Sequence, residues 1–130
     1  MGRKIVNLDD KENTVCITVG GREYEITRVV LALKEMYGRY VTAAAEYCKT
    51  VNEFEDYQDQ LAYAEDYALQ KAEALDEMMD KLLADNGYKY DKKWWAENVA
   101  GYETMEQFIV QALMKDAPDD KKKVNPGVTI

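Results

Sequence analysis

The feature that most constrains the fold is a long heptad seam, a regular apolar repeat between residues 52 and 85. Small and apolar residues recur along it at spacings of three and four, with a single lysine among them. The seam residues are Phe54, Tyr57, Leu61, Ala64, Ala68, Lys71, Leu75, Met78 and Leu82. This periodicity predicts one helix, about 50 Å long at 1.5 Å per residue, with an apolar stripe along one side. A helix of this pattern needs a second helix beside it.

The residues around the seam predict where the long helices begin and end. Asn52 is predicted to cap the seam helix, and Asn86 and Gly87 are predicted to end it. An earlier helix is predicted from Thr27, as its N-cap, to about Lys49. We expect these two helices to form an antiparallel pair. The alternative is that part of the seam docks a partner helix or a second copy, which would give a homo-oligomer.

The stretch VCITVGGREYEIT, residues 15–27, contains the clear β signal of the chain. Two alternating runs flank Gly20 and Gly21, a pair that suits the positive φ angles of a two-residue hairpin turn. This turn would pair Val19 with Arg22. It places five apolar side chains on one face: Val15, Ile17, Val19, Tyr24 and Ile26. An isolated two-stranded ribbon is marginal in water, so we expect this face to lie on the helices.

Two shorter helices are predicted after Gly87. Asp91 suits the cap of one that carries two tryptophans and runs to about Asn98, and Thr104 suits the cap of the last, whose apolar stripe is Phe108, Ile109, Ala112 and Leu113. The predicted fold class is mainly α with a small N-terminal β-hairpin (α+β). It has two long antiparallel helices, two shorter C-terminal helices and a flexible C-terminal tail. We expect a single helical domain over residues 1–116 and the tail over 117–130, where both prolines lie.

The absence of two residue types limits the chemistry of the chain. It has no histidine and no serine, which excludes serine triads and imidazole general bases. Cys16 and Cys48 lack metal-ligand spacing and have no histidine to complete a zinc site. The sequence therefore predicts a binding protein and not an enzyme, without catalytic residues, metal ions or other cofactors.

Negative charge is concentrated on the long helix. Residues 46–85 carry a net charge of −9, against −8 for the whole chain. Four acidic residues recur at every seventh position and form what we call the acidic strip: Asp59, Asp66, Glu73 and Asp80. The strip is interpreted either as a solvated outer face or as a recognition surface for a basic partner. Direct binding to nucleic acid is not expected, because phosphates would be repelled.

Aromatic residues are the predicted contacts with a protein partner. Adjacent tryptophans on a helix point about 100° apart. We therefore expect one of Trp94 and Trp95 to pack in the core and the other to lie at a rim or interface. Together with Tyr63 and Tyr67 on the long helix, they are the candidate partner-binding residues.

The sequence predicts neither membrane insertion nor export. No apolar run approaches the roughly 18 residues of a transmembrane helix. The N-terminal residues MGRKIVNLDD lack the apolar core of a signal peptide. We therefore expect a cytoplasmic protein.

Three stretches together carry a resemblance to a known family. They are the strand pair 19–26, which reads VGGREYEI, the helix after Thr27, and the terminal run 106–113, which reads EQFIVQAL. This combination resembles phage tail assembly chaperones, small proteins of siphophages and prophages. The resemblance implies a helical, non-enzymatic protein in the cytoplasm of a bacterial host. Such a protein would bind the tape measure protein and recruit tail tube subunits during assembly.

A second interpretation belongs to another functional class, an acidic phage-encoded inhibitor of a host defence nuclease. The acidic strip would then mimic the phosphate backbone of a nucleic acid. Reversing the charge of the strip should abolish such inhibition, whereas a chaperone that binds through the apolar seam should largely tolerate the change.

Overall fold

A computed structural model describes residues 13–115 of the chain. Its elements are β1 (Val15–Val19), β2 (Arg22–Ile26), α1 (Leu31–Val51), α2 (Tyr57–Asp85), α3 (Lys92–Asn98) and α4 (Tyr102–Leu113). The predicted fold class is confirmed: the protein is mainly helical, with two long and two shorter helices after an N-terminal two-stranded hairpin. The predicted tail, residues 117–130, lies outside the described residues.

The hairpin has the register that its turn predicts. Val19 pairs with Arg22, and Gly20 and Gly21 form the turn with φ angles of 56° and 83°. The apolar face is buried or half-buried, and the side chains of the opposite face are exposed. The hairpin is therefore a lid on the helices, as the one-sided pattern predicts.

The core lies between this lid, the carboxyl-terminal half of α2 and α4. Tyr24 is the central hairpin residue in it: its ring centroid lies 5.0 Å from Tyr88, 5.9 Å from Trp95 and 5.4 Å from Phe108. Ring contacts of this kind add about 0.5–1.5 kcal/mol each beyond the buried area. The helices contribute a set of fully buried apolar side chains: Leu33, Leu75, Met78, Met79, Leu82, Leu83 and Ile109.

Asn86 joins the hairpin to the end of α2. Its Oδ1 accepts hydrogen bonds from the backbone N–H groups of Thr27 and Arg28, at 2.8 Å each. Its Nδ2 donates to the carbonyl oxygens of Arg28 and Leu82, also at 2.8 Å. Gly87 follows with a φ of 86° and ends the helix as predicted. The linker between β2 and α1 is thereby fixed on the carboxyl end of α2.

The predicted N-caps of the two long helices are wrong. Val30 occupies the N-cap of α1 without a side-chain hydrogen bond, because the backbone of Thr27 is held by Asn86 instead. Asn52 stands at the other end of α1, as its C-cap. Asp56 caps α2, and its carboxylate accepts a hydrogen bond from the backbone N–H two residues later at 2.9 Å.

Of the two shorter helices, α3 begins as predicted and α4 does not. The Asp91 side chain caps α3 by accepting from the Trp94 N–H at 3.1 Å. The N-cap of α4 is Gly101 and not Thr104. The Gly101 carbonyl oxygen already accepts from the N–H groups of Thr104 and Met105, so the helix begins three residues earlier than the side-chain signal predicts.

Replacing Asn86 should destabilise the whole domain. Asn86→Ala leaves two backbone N–H groups without their acceptor, and each lost hydrogen bond costs about 0.5–1.5 kcal/mol. We expect the free energy of unfolding to fall by about 2–3 kcal/mol in urea denaturation followed by circular dichroism. The matched control is Asn98→Ala, which removes one hydrogen bond at the exposed end of α3. Similar losses for both variants would contradict the role of Asn86.

Candidate partner-binding surface

The candidate site is the end of the α1–α2 pair beyond the core, residues 44–70, which we call the distal arm. α2 has fully buried side chains from Leu75 onward, whereas none of the residues 57–70 is buried. This first half of α2 is about 21 Å long. The distal arm is therefore a projection of two helices from a domain whose core lies elsewhere.

An aromatic stack holds the distal arm together. The Tyr47 ring of α1 lies almost parallel to the Tyr67 ring of α2, with centroids 4.2 Å apart and an angle of 13° between the planes. Tyr47 also stacks on Tyr63 at 5.5 Å, and Phe54 contacts Tyr63 at 5.2 Å. The predicted partner-binding residues Tyr63 and Tyr67 thus lie half-buried between the helices.

The apolar stripe of α2 divides into a buried half and an uncovered half. This stripe follows the seam but includes Ala72 and Met79 in place of Lys71 and Met78. Its positions are 57, 61, 64, 68, 72, 75, 79 and 82, at spacings of three and four. Leu75, Met79 and Leu82 are buried in the core. By contrast, Tyr57 is 67% exposed and Leu61 is 42% exposed. Within residues 13–115, α1 packs on a neighbouring side of α2, which leaves the distal half of this stripe open to a partner.

The acidic strip lies on the outside of α2. All four of its members are exposed: Asp59, Asp66, Glu73 and Asp80. The ion pairs of α2 involve other residues, Lys81 with Asp85 at 3.4 Å and Lys92 with Asp76 at 3.0 Å. In the described part of the chain, no ion pair therefore neutralises the strip. At 100° per residue the strip lies roughly opposite the uncovered stripe on α2.

The two tryptophans lie on α3, one in the core and the other at its edge, as their angular offset predicts. Trp95 is 1% exposed. Trp94 packs on the hairpin turn, with the Arg22 guanidinium carbon 3.9 Å from its ring centroid. A Cβ atom on Gly20 would lie 2.9 Å from Cη2 of Trp94, so the hairpin turn fits closely against the Trp94 ring. Among the described residues no ring contact joins the tryptophans to the arm tyrosines, and the predicted residues form two separate groups.

Glu106, at the base of the arm, was not predicted from the sequence as part of the site. Its Oε2 accepts a hydrogen bond from the Tyr40 hydroxyl at 2.7 Å, which joins α4 to α1. Burial, and then this hydrogen bond, raises the pKa of Tyr40 far above its usual value of 10.0. Burial and the nearby carboxylate also raise the pKa of Tyr37. The only sequence signal was the position of Glu106 between the apolar residues Met105 and Phe108.

Neither metal chemistry nor a relative defines the site. Residues 13–115 contain no group of three or more histidine, cysteine, aspartate or glutamate side chains arranged to hold a metal ion. In the same range, no helix has the length and apolar character needed to cross a membrane. No protein-family profile, curated protein or solved structure matches the chain. The geometry of the distal arm is therefore the basis for assigning a function.

Removing the central ring should loosen the arm and leave the core closed. Tyr47→Ala loses two stacking contacts, each worth about 0.5–1.5 kcal/mol. We expect amide hydrogen exchange to rise about tenfold across residues 57–70 and to change little across 75–83. Tyr102→Ala, which removes a 47% exposed ring from α4, is the matched control. A rise of equal size in both segments would show that the arm is not a separate unit.

The Tyr40–Glu106 contact makes stability depend on alkaline pH. A tyrosine whose pKa is higher in the folded than in the unfolded chain stabilises the fold fully below about pH 10, and this contribution is lost as the pH rises further. Tyr40→Phe should lower the free energy of unfolding by about 1 kcal/mol at neutral pH. It should also flatten the decline between about pH 10 and 12 in urea titrations. An unchanged alkaline decline would contradict this assignment.

Proposed function

We propose that the protein is a non-enzymatic binding protein that holds an elongated helical client, in the manner of a phage tail assembly chaperone. The client would be a tape measure or tail tube protein, bound in the cytoplasm of a bacterial host. The observation that carries the proposal is the uncovered distal half of the α2 stripe. A client helix laid on the arm would continue the packing that the hairpin and α4 provide on the other half.

The charge of the arm defines the client further. Residues 50–70 contain six acidic residues and no lysine or arginine. The complement of this surface is an amphipathic helix with apolar residues at spacings of three and four and basic residues beside them. A second copy of the chain is a poorer complement, because its arm would bring the same negative charge. Oligomerisation is therefore not part of the proposal.

The test is co-expression with a tape measure protein from the same genome, followed by affinity purification of the complex. Leu61→Asp places a charge in the uncovered stripe at a 42% exposed position, where the fold should tolerate it. We expect retention of the client to fall at least tenfold. The matched control, Asp66→Lys with Glu73→Lys, alters the strip instead and should have a smaller effect that depends on salt. Retention unchanged by Leu61→Asp would contradict the proposal.

The acidic strip supports a second candidate, an inhibitor of a host defence nuclease that acts as a nucleic-acid mimic. Its exposed carboxylates stand in one row at intervals of about 10.5 Å along the helix. If the protein inhibits such a nuclease, the double charge reversal should abolish inhibition and Leu61→Asp should preserve it. Either candidate acts on a protein and needs no membrane and no direct contact with nucleic acid.

A further inference from the structure

A cavity of about 230 Å³ lies between α1 and α2, where the core ends and the stacked tyrosines of the distal arm begin. Ala43 of α1 and Ala74 of α2 contribute only methyl groups to its wall, which leaves the space between the two helices unfilled. The buried side chains of Tyr40 and Met78 form its floor, and half-buried Tyr67 lines it from the arm. This volume is below the range of pockets that hold drug-sized ligands, so the cavity suits a smaller molecule.

Lys71, the one charged residue of the apolar seam, lines this cavity. A lysine is rarely withdrawn from water without a partner, because its ammonium group loses hydration there. Lys71 is nevertheless half-buried. In the described part of the chain, the two ion pairs involve other lysines, Lys81 and Lys92, so no carboxylate forms an ion pair with Lys71. An anion in the cavity would supply this partner.

A second cation borders the same cavity from the opposite helix. Arg39 of α1 is exposed at the rim, and among residues 13–115 it has no ion-pair partner either. One carboxylate, Glu77, also lies on the rim, and Gln70 adds an uncharged amide. With two cations and one carboxylate, the wall carries a net charge of +1 in a chain whose net charge is −8. A ligand with one negative charge complements this wall.

We propose that this cavity binds a monocarboxylate that carries a short apolar group. The carboxylate would pair with Lys71 and Arg39, and the apolar group would contact Met36 and Met78. This chemistry belongs both to small free acids and to the C-terminal residue of a peptide. The cavity lies on the side of α2 that faces α1, whereas the uncovered stripe lies on a neighbouring side. The site therefore does not rest on the proposed client.

Methionine methyl groups report the location of binding directly. Met36 and Met78 line the cavity, whereas Met105 lies on α4 and does not. In NMR spectra of the full-length protein labelled at its methionine methyl groups, the variants Met36→Leu and Met78→Leu identify the two reporter peaks. We expect isocaproate to shift both peaks saturably, with a low-millimolar dissociation constant, and to leave the Met105 peak in place. Its uncharged analogue isocaproamide should bind at least tenfold more weakly, because it cannot pair with the two cations.

Two variants separate a loss of binding from a loss of folding. Lys71→Met restores an apolar residue to the seam, so its urea midpoint should not fall, yet it should bind isocaproate at least tenfold more weakly. Lys34→Met is the matched control. It removes the same charge from an exposed position of α1 outside the cavity and should bind as the wild-type chain does.

A short peptide distinguishes the two sources of the carboxylate. N-acetyl-glycyl-leucine presents a carboxylate and a branched side chain of similar size. Tighter binding than that of isocaproate identifies a peptide terminus, and weaker binding identifies a small free acid. The proposal is overturned if isocaproate gives no saturable shift at Met36 and Met78, if isocaproamide binds equally well, or if Lys71→Met binds no more weakly than Lys34→Met.

Discussion

The four hydrogen bonds of the Asn86 side chain are the constraint on which the arrangement of hairpin and helices depends. Three of them fix the linker between β2 and α1 on the carboxyl end of α2, and the fourth goes to the Leu82 carbonyl oxygen of α2 itself. The segment after α2 adds a second attachment to the hairpin, since the Glu25 N–H donates to the Tyr88 hydroxyl at 2.9 Å. With the hairpin held there, Tyr24 meets Trp95, and the core closes around one end of the long helix.

The distal arm follows from the lengths of the elements. α2 has 29 residues and is about 43 Å long. The strands have five residues each, and α4 has 12, about 18 Å. These elements cover one half of α2 and are too short to cover the other. An apolar stripe that continues beyond its own cover is the physical basis for proposing a client, and the net negative charge of the distal arm favours a basic one.

Local patterns predicted most of the fold, and tertiary contacts decided the rest. Gly20 and Gly21 set the hairpin register because turn geometry is local, and Asn86 with Gly87 marked the end of α2 for the same reason. Thr27 and Asn52 carry good capping side chains, yet neither caps the helix expected of it, because Asn86 holds the Thr27 backbone and α1 runs on to Val51. The heptad period is the same in both halves of the seam, so it did not reveal which half is buried. The only signal of which half is buried was composition: the distal half of the seam is rich in alanine, and the core half is rich in leucine and methionine.

Site-specific photo-crosslinking would show whether a client lies on the distal arm. A photoreactive amino acid placed at Leu61, in cells that also express the tape measure protein, reports what lies on the uncovered stripe. The same amino acid at Glu97, exposed on α3, is the reference position. A client bound on the stripe should give a crosslink to the tape measure protein from position 61 and none from position 97. No crosslink from position 61, or equal crosslinking from both positions, would contradict it.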